Sequence, residues 1–137
     1  MLLNRIDDRV LRLLLDSEYH KHYSKEDVIR TIVAPIKNKK ALAVFKDDRI
    51  VSLLTWAFLN KEQVDGYLSK TRKLRAKDFE QTEGDLWFID FIAPYGDVKT
   101  IIKEYQREFS VLYPDVEAGK MFRRAKGYSA PVVVRPR

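Results

Sequence analysis

Few side chains in this sequence can act as a base near neutral pH. Its two histidines, His20 and His22, lie two residues apart, and it has no cysteine. A neutral imidazole is suited to taking a proton in that range. The lack of cysteine removes disulfides, thiolate metal ligands and a thiol nucleophile together, and fits a reducing compartment. Ser17 stands three residues before His20 and adds a hydroxyl. The remaining group of interest is a carboxylate in an unusual place. Asp90 interrupts the apolar run Trp87-Phe88-Ile89-Asp90-Phe91-Ile92. If that run is a regular strand, Trp87, Ile89 and Phe91 point one way and Phe88, Asp90 and Ile92 the other. An ionised carboxylate among such neighbours costs several kcal/mol, in order of magnitude, unless a partner meets it. That partner can be structural, an arginine or a backbone group. It can equally be a histidine that Asp90 orients and charge-stabilises, as in a base constellation. A metal held by His20, His22 and Asp90 is not expected, because no third His or Cys and no carboxylate at a familiar ligand spacing completes it.

These residues need a scaffold, and hydrophobic spacing outlines one. Ile6, Val10, Leu13 and Leu14 recur at helical spacing and predict a first helix over 4–16. The polar break 17–23 holds both histidines. Ser24, with Asp27 three residues on, predicts a capped second helix carrying Val28, Ile29, Ile32, Val33 and Ile36 inward. Pro35 should kink that helix or mark its last turn. Two apolar runs, 41–45 and 50–58, flank Asp47-Asp48-Arg49 and read as a β-hairpin. Residues 60 to about 77 read as helical, with Val64, Tyr67, Leu68 and Leu74 as sparse apolar positions. The strand 86–93 is apolar on both faces and should lie centrally in its sheet. Asp97 is placed to cap a helix running to about Phe109. Two strands, near 117–124 and 128–134, end the chain. The order α-α-β-β-α-β-α-β-β predicts an α+β fold, a mixed sheet flanked by helices.

At 137 residues the chain has the length of a single compact domain, 1–137. Twenty-six Lys and Arg against twenty Asp and Glu give a net charge of +6, which favours an acidic partner. Helix-turn-helix, RNP and zinc-finger signals are missing, so nucleic acid is not the expected partner. The first residues turn acidic at Asp7 and Asp8 and lack a long apolar core, so neither a signal peptide nor a membrane span is expected, and the location expected is cytoplasmic.

The segment Trp87-Phe88-Ile89-Asp90-Phe91-Ile92-Ala93-Pro94-Tyr95-Gly96-Asp97 resembles the signature of the RTX toxin-activating lysine acyltransferases, the hemolysin-activator type, with only aromatic exchanges. Two further segments agree in order and similar spacing. Ser17-Glu18-Tyr19-His20-Lys21-His22-Tyr23 is similar to that family's Ser-x-x-His motif followed by an aromatic residue, with Tyr23 where Trp is usual. Thr55-Trp56-Ala57 is similar to its hydroxyl-Trp-Ala segment. The resemblance implies a fold like that of the GNAT acetyltransferases. It implies transfer of a fatty acyl group from acyl carrier protein to an internal lysine of a protoxin-like protein, with no tightly bound cofactor. It also implies that His20 and Asp90 are catalytic, with Ser17 beside them. Familiar members continue past the last strand, which puts protoxin recognition and a homodimer in question.

The chemistry of that transfer suits these residues. A free lysine, with a pKa near 10.4, must lose a proton before it can attack, and His20 is expected to be the base, with Asp90 fixing its tautomer. An acyl-enzyme on Ser17 or His20 competes with direct attack. His20 is favoured over His22 by its spacing from Ser17; in an extended loop the two rings would point oppositely. In enzymes that use coenzyme A, the turn after such a strand is Gly-rich and cradles pyrophosphate on backbone N–H groups. Here the turn holds one Gly and Asp97, which argues for a carrier protein. Lys70, Arg72, Lys73, Arg75 and Lys77, and Lys120, Arg123, Arg124 and Lys126, form basic clusters. They are either solvated faces or a docking surface for the acidic carrier protein. A GNAT-like acetyltransferase using acetyl-coenzyme A and a non-enzymatic basic binding domain are the rival readings.

Overall fold

A computed structural model describes residues 1–123 and 128–135. Helix α1 spans Asp8–Asp16, shorter than the predicted 4–16, because Asp7 takes an extended conformation and its carboxylate accepts from the Arg9 N–H as an N-cap. Helix α2 is built of Lys25–Val28, a π-helical turn Ile29–Val33 and Ala34–Lys37, with helical dihedrals at both junctions. The capping box predicted at Ser24 and Asp27 is formed. Pro35 lies in the last turn of this helix, which ends at Lys37, as one of the two expected readings had it; the wide turn just before it absorbs the ring and the missing N–H. Strands β1 (Ala41–Lys46) and β2 (Arg49–Leu59) form the predicted hairpin. Asp47 and Asp48 both have positive φ, 50° and 64°, the geometry of a two-residue turn whose twist matches its strands.

Helix α3 covers only Lys61–Ser69, capped by Asn60 and Gln63. The predicted extension to about residue 77 fails because Lys70 turns left-handed and the chain folds back. The Arg72 N–H then reaches the Gly66 carbonyl at 3.2 Å. A Cβ at Gly66 would lie 3.0 Å from that of Arg72, so a glycine at this point admits the return. A 3-10 turn, Ala76–Glu80, follows, anchored by the buried Asp78 carboxylate, which takes bonds from Gln63, Arg72 and the Arg75 N–H. Strand β3 is Asp85–Ile92, α4 is Val98–Leu112, β4 is Ala118–Arg123 and β5 is Tyr128–Val133.

The sheet order is β1-β2-β3-β4-β5, with β3 and β4 parallel and every other pair antiparallel. Thus β3 is central, as its two apolar faces required, and α4 is the crossover that a parallel pair needs. One face packs Trp56, Phe58, Phe88, Tyr105 and Phe109 beneath α4. The other is covered by α1 and α2 over Leu53 and Ile92, and by Leu74 and Phe79 over Ala57 and Trp87. This is the expected mixed sheet flanked by helices, with a GNAT-like arrangement.

Two irregularities in β3 shape the surroundings of Asp90. Thr55 pairs with Asp90 and Trp56 with Phe88, so Ile89 is an extra residue, a β-bulge. The strict alternation expected along 87–92 is therefore broken. Phe91 lies 6.1 Å from the Tyr105 ring, on the same α4 side as Phe88, while Ile89 and Ile92 pack on the other. In addition, β3 pairs with β4 only at Trp87–Lys120 and Phe88–Met121. Beyond Phe88 the two strands part.

Candidate active site

The site forms where that gap meets the connection between α1 and α2. Ser17 ends α1, with its N–H on the Leu14 carbonyl, and the Lys21 N–H returns to the Ser17 carbonyl at 2.9 Å. Residues His20–His22 complete a 3-10 turn. The segment is not the extended loop expected from its polarity. Ser17 itself is extended, and the chain turns back on it through the Lys21 bond and the His20 N–H, which donates to the Ser17 Oγ at 3.4 Å. This fold-back brings the Ser17 Oγ within 2.7 Å of the His20 Nδ1. His22 falls on the exposed side.

The other ring nitrogen of His20, Nε2, lies 2.8 Å from the Asp90 Oδ1, although the two residues are 70 apart in sequence. All three groups are buried, with Ser17 8%, His20 7% and Asp90 3% exposed. An ionised carboxylate can only accept, so Nε2 carries a proton, and in the neutral ring Nδ1 is bare toward Ser17. The Ser17 hydroxyl then donates to that nitrogen. The result is a continuous chain, Ser17 O–H to Nδ1 and Nε2–H to carboxylate, with the logic of a nucleophile–base–orienter triad.

The bulge explains how Asp90 reaches this position. Its extra residue turns the Asp90 side chain toward the α1–α2 connection instead of leaving it in the regular alternation. The N–H that loses its ladder geometry donates to the Thr55 Oγ1 at 3.1 Å. Thr55 is fully buried on β2. Tyr23 completes the surroundings: its hydroxyl donates to the same Asp90 Oδ1 at 3.0 Å. The rings of Tyr19 and Tyr23 each lie 5.0 Å from the imidazole. Asp90 Oδ2 is buried and accepts no hydrogen bond from the described residues. Sequence reasoning selected Ser17, His20 and Asp90, which the fold brings together. It noticed Tyr23 and Thr55 only as motif positions and missed their bonds to Asp90.

His20 and Asp90 stand at one end of a cavity of about 1050 Å³ that passes through the parted strands to α4 and β5. Phe88, Phe91, Ile102, Phe109, Met121 and Val132 are among its apolar walls. Gly119 lets β4 approach here, since a Cβ would lie 2.9 Å from the Leu86 side chain. Tyr105 closes one side, and its hydroxyl donates to Ser52; burial pushes that phenol well above its ordinary value. The lining suits an aliphatic chain better than a charged group.

The turn after β3 departs from expectation. Asp97 occupies the N-cap position of α4, but with φ 58° and no side-chain bond to the helix N–H groups. Capping requires an extended conformation, and left-handed backbone swings the carboxylate away. The Asp97 carboxylate therefore leaves those N–H groups unoccupied and adds only its charge near the α4 N-terminus. Gly96, at φ 88°, supplies the turn's other left-handed residue. Tyr95 donates to the Asp16 carboxylate at 2.6 Å, tying the turn to the residue before Ser17. Its phenol is pushed up by burial and by that bond.

Of the basic clusters, Lys70, Lys73, Arg75 and Lys77 are exposed, whereas Arg72 is committed to the buried Asp78. Lys120 is exposed, with its ammonium 6.0 Å from the Trp87 ring. Arg124 and Lys126 lie outside the described residues, as does the side chain of Arg123. No helix among the described residues is long and apolar enough to cross a membrane.

A mixed sheet split beside its bulged central strand, with His20 and Asp90 at the head of an apolar cavity and Ser17 hydrogen-bonded to the imidazole, defines a GNAT-like architecture. The sequence profile of the RTX toxin acyltransferase family matches residues 6–132, and the chain belongs to that family. It is 29% identical over 98 residues to the RTX-II toxin-activating lysine-acyltransferase ApxIIC of Actinobacillus pleuropneumoniae, covering 71% of this chain and 60% of that protein. It is 28% identical over 99 residues to the protein-lysine myristoyltransferase RtxC of Kingella kingae, covering 72% and 58%. Identity to the protein-lysine myristoyltransferase HlyC of Escherichia coli is 31% over 98 residues, covering 71% and 56%. The matches thus take in 56–60% of the length of these relatives.

Proposed function

We propose that the protein moves a fatty acyl group from acyl carrier protein to the side-chain amine of a lysine in a protein substrate, with Ser17, His20 and Asp90 as the catalytic residues. The observation that carries this reading is the hydrogen-bonded chain from Ser17 through His20 to Asp90 at the end of the apolar cavity. Family membership and relatives named for protein-lysine myristoyl transfer support it.

The acyl chain lies in the cavity with its thioester carbonyl near His20. The lysine nitrogen, once neutral, attacks that carbon; the C–N bond forms and the C–S bond breaks. The nitrogen's surplus proton passes to the imidazole, with the Ser17 hydroxyl relaying it to Nδ1, and then to the departing thiolate. Asp90 holds the Nε2–H and stabilises the imidazolium while it exists. The 2.7 Å contact between Ser17 Oγ and Nδ1 favours a second reading. There Ser17 attacks first, forming an acyl ester that the lysine then resolves.

The donor reading rests on charge. Exposed Lys70, Lys73, Arg75 and Lys77 complement an acidic carrier protein, and the turn after β3 has one Gly and the negative charge of Asp97 near the α4 N-terminus. A protoxin-like protein is the acceptor class. Intact-mass spectrometry tests these points with myristoyl-acyl carrier protein and a protoxin acceptor, and myristoyl-coenzyme A in a second arm. We expect a hydroxylamine-resistant acyl adduct on the acceptor in the first arm. Equal transfer from coenzyme A would overturn the donor reading. With donor alone, a hydroxylamine-labile adduct on Ser17 would select the acyl-enzyme path.

A further inference from the structure

Asp90 receives two donors on one oxygen. The His20 Nε2–H and the Tyr23 hydroxyl both reach Oδ1, at 2.8 and 3.0 Å, while the backbone N–H of Asp90 is fixed on Thr55. A carboxylate held by the imidazole alone could rotate about its terminal bond and carry its oxygen out of line with the Nε2–H at little cost, since that torsion is broad. The second donor comes from a different direction and a residue whose backbone is itself secured: the Tyr23 N–H bonds the His20 carbonyl at 3.0 Å, and Ser24 begins the capped start of α2. The Tyr23 ring, 5.0 Å from the imidazole and tilted 57° to it, also limits swinging of the His20 ring.

We propose that Tyr23 is a positioning residue of the acyl-transfer site. By sharing Oδ1 with His20, its hydroxyl holds the carboxylate in line with the Nε2–H and so keeps the imidazole oriented with Nδ1 toward Ser17. Tyr23 acts through Asp90 and needs no contact with either substrate. This inference rests on the reading of Ser17, His20 and Asp90 as catalytic, so both must be tested in one set of variants.

Replacing Tyr23 by Phe keeps the ring and removes the donor. Tyr23→Phe should lower kcat roughly tenfold to hundredfold, the range that one hydrogen bond to a charged group supports. KM for donor and acceptor should stay within about twofold, because uniform binding is untouched. The second readout is the ¹⁵N spectrum of His20, made unambiguous by His22→Gln, which removes the exposed second imidazole. The otherwise unaltered protein should show a single Nε2–H tautomer with a sharp Nε2–H signal, and Tyr23→Phe the same tautomer with that signal shifted and broadened by exchange. Tyr23→Trp offers an indole N–H in place of the hydroxyl and should recover part of the lost kcat. His20→Ala and Asp90→Asn are measured alongside. If both are inactive while Tyr23→Phe keeps full kcat and the same ¹⁵N pattern, the role of Tyr23 is refuted and the catalytic reading survives. If both stay active, the catalytic reading itself falls. Should Tyr23→Phe not fold, the spectrum of the protein carrying only His22→Gln decides, since an Nδ1–H tautomer there overturns the proposal.

Discussion

Replacing Asp90 by Asn separates what this carboxylate does for the fold from the role proposed for it in the reaction. The exchange is nearly isosteric, and the Asn carbonyl can still accept from Tyr23. The amide offers a carbonyl oxygen where the carboxylate offered one, so thermal unfolding should change by no more than about 1–3 kcal/mol. Activity should respond very differently. The contact of 2.8 Å between Nε2 and Oδ1 puts the centres of charge about 4 Å apart when the imidazolium forms. At an effective permittivity of about 20, that separation is worth about 4 kcal/mol, or roughly 10³ in rate. An amide can also turn its NH₂ toward Nε2, which forces the proton onto Nδ1 and abolishes the base. Together these effects predict a fall in kcat of about 10³–10⁴. Single-turnover acyl transfer, followed by mass spectrometry of the acceptor, measures it, with circular dichroism melts as the folding control. Loss of less than tenfold in a folded protein would refute the role given to Asp90.

Other substitutions probe the scaffold. Lys40 is buried, its ammonium donates to the Phe79 and Gln81 carbonyls, and burial holds its pKa below the ordinary value. Lys40→Met should cost about 1–3 kcal/mol in urea unfolding by leaving both carbonyls without that donor. Asp27 has its pKa lowered, first by its bond to Arg30 and then by the capping box. Its stabilisation is therefore complete above the unfolded carboxylate value near 3.9 and is lost as pH falls through the lower folded value. Asp27→Asn should melt lower than the unsubstituted protein at pH 7, and the gap should close as pH falls below about 4. Val132→Trp, filling part of the cavity, should shift preference from long toward short acyl donors in a competition assay, with melting little altered.

Much of this architecture can be read from local patterns because local rules decide it. Asp47-Asp48 between two apolar runs specifies a tight hairpin, and Ser24 with Asp27 specifies a capped helix start. The all-apolar flanks of Asp90 place its strand in the middle of the sheet. The Ser-x-x-His spacing becomes informative once the segment is a turn. The features that escaped depend on partners distant in sequence. The bulge at Ile89 arises from pairing with β2, and nothing within 87–92 announces it. The early end of α3 follows from the return of Arg72 over Gly66 and its pairing with Asp78. Asp97 looks like a cap by type, but the turn imposes a conformation in which it does not act as one. Tyr23 reads as an aromatic neighbour of His20, and its bond to Asp90 spans 67 residues.

The central claim is that this site makes an amide bond at lysine through His20. Peptide mass spectrometry of the acceptor, after reaction with myristoyl-acyl carrier protein and either the unsubstituted protein or His20→Ala, tests it most directly. The account predicts a myristoyl group on lysine side chains with the unsubstituted protein and a loss of about 10³-fold or more in initial rate with His20→Ala. Acyl-lysine formed at the same rate by folded His20→Ala, or none formed by the unsubstituted protein with any acyl donor, would contradict it.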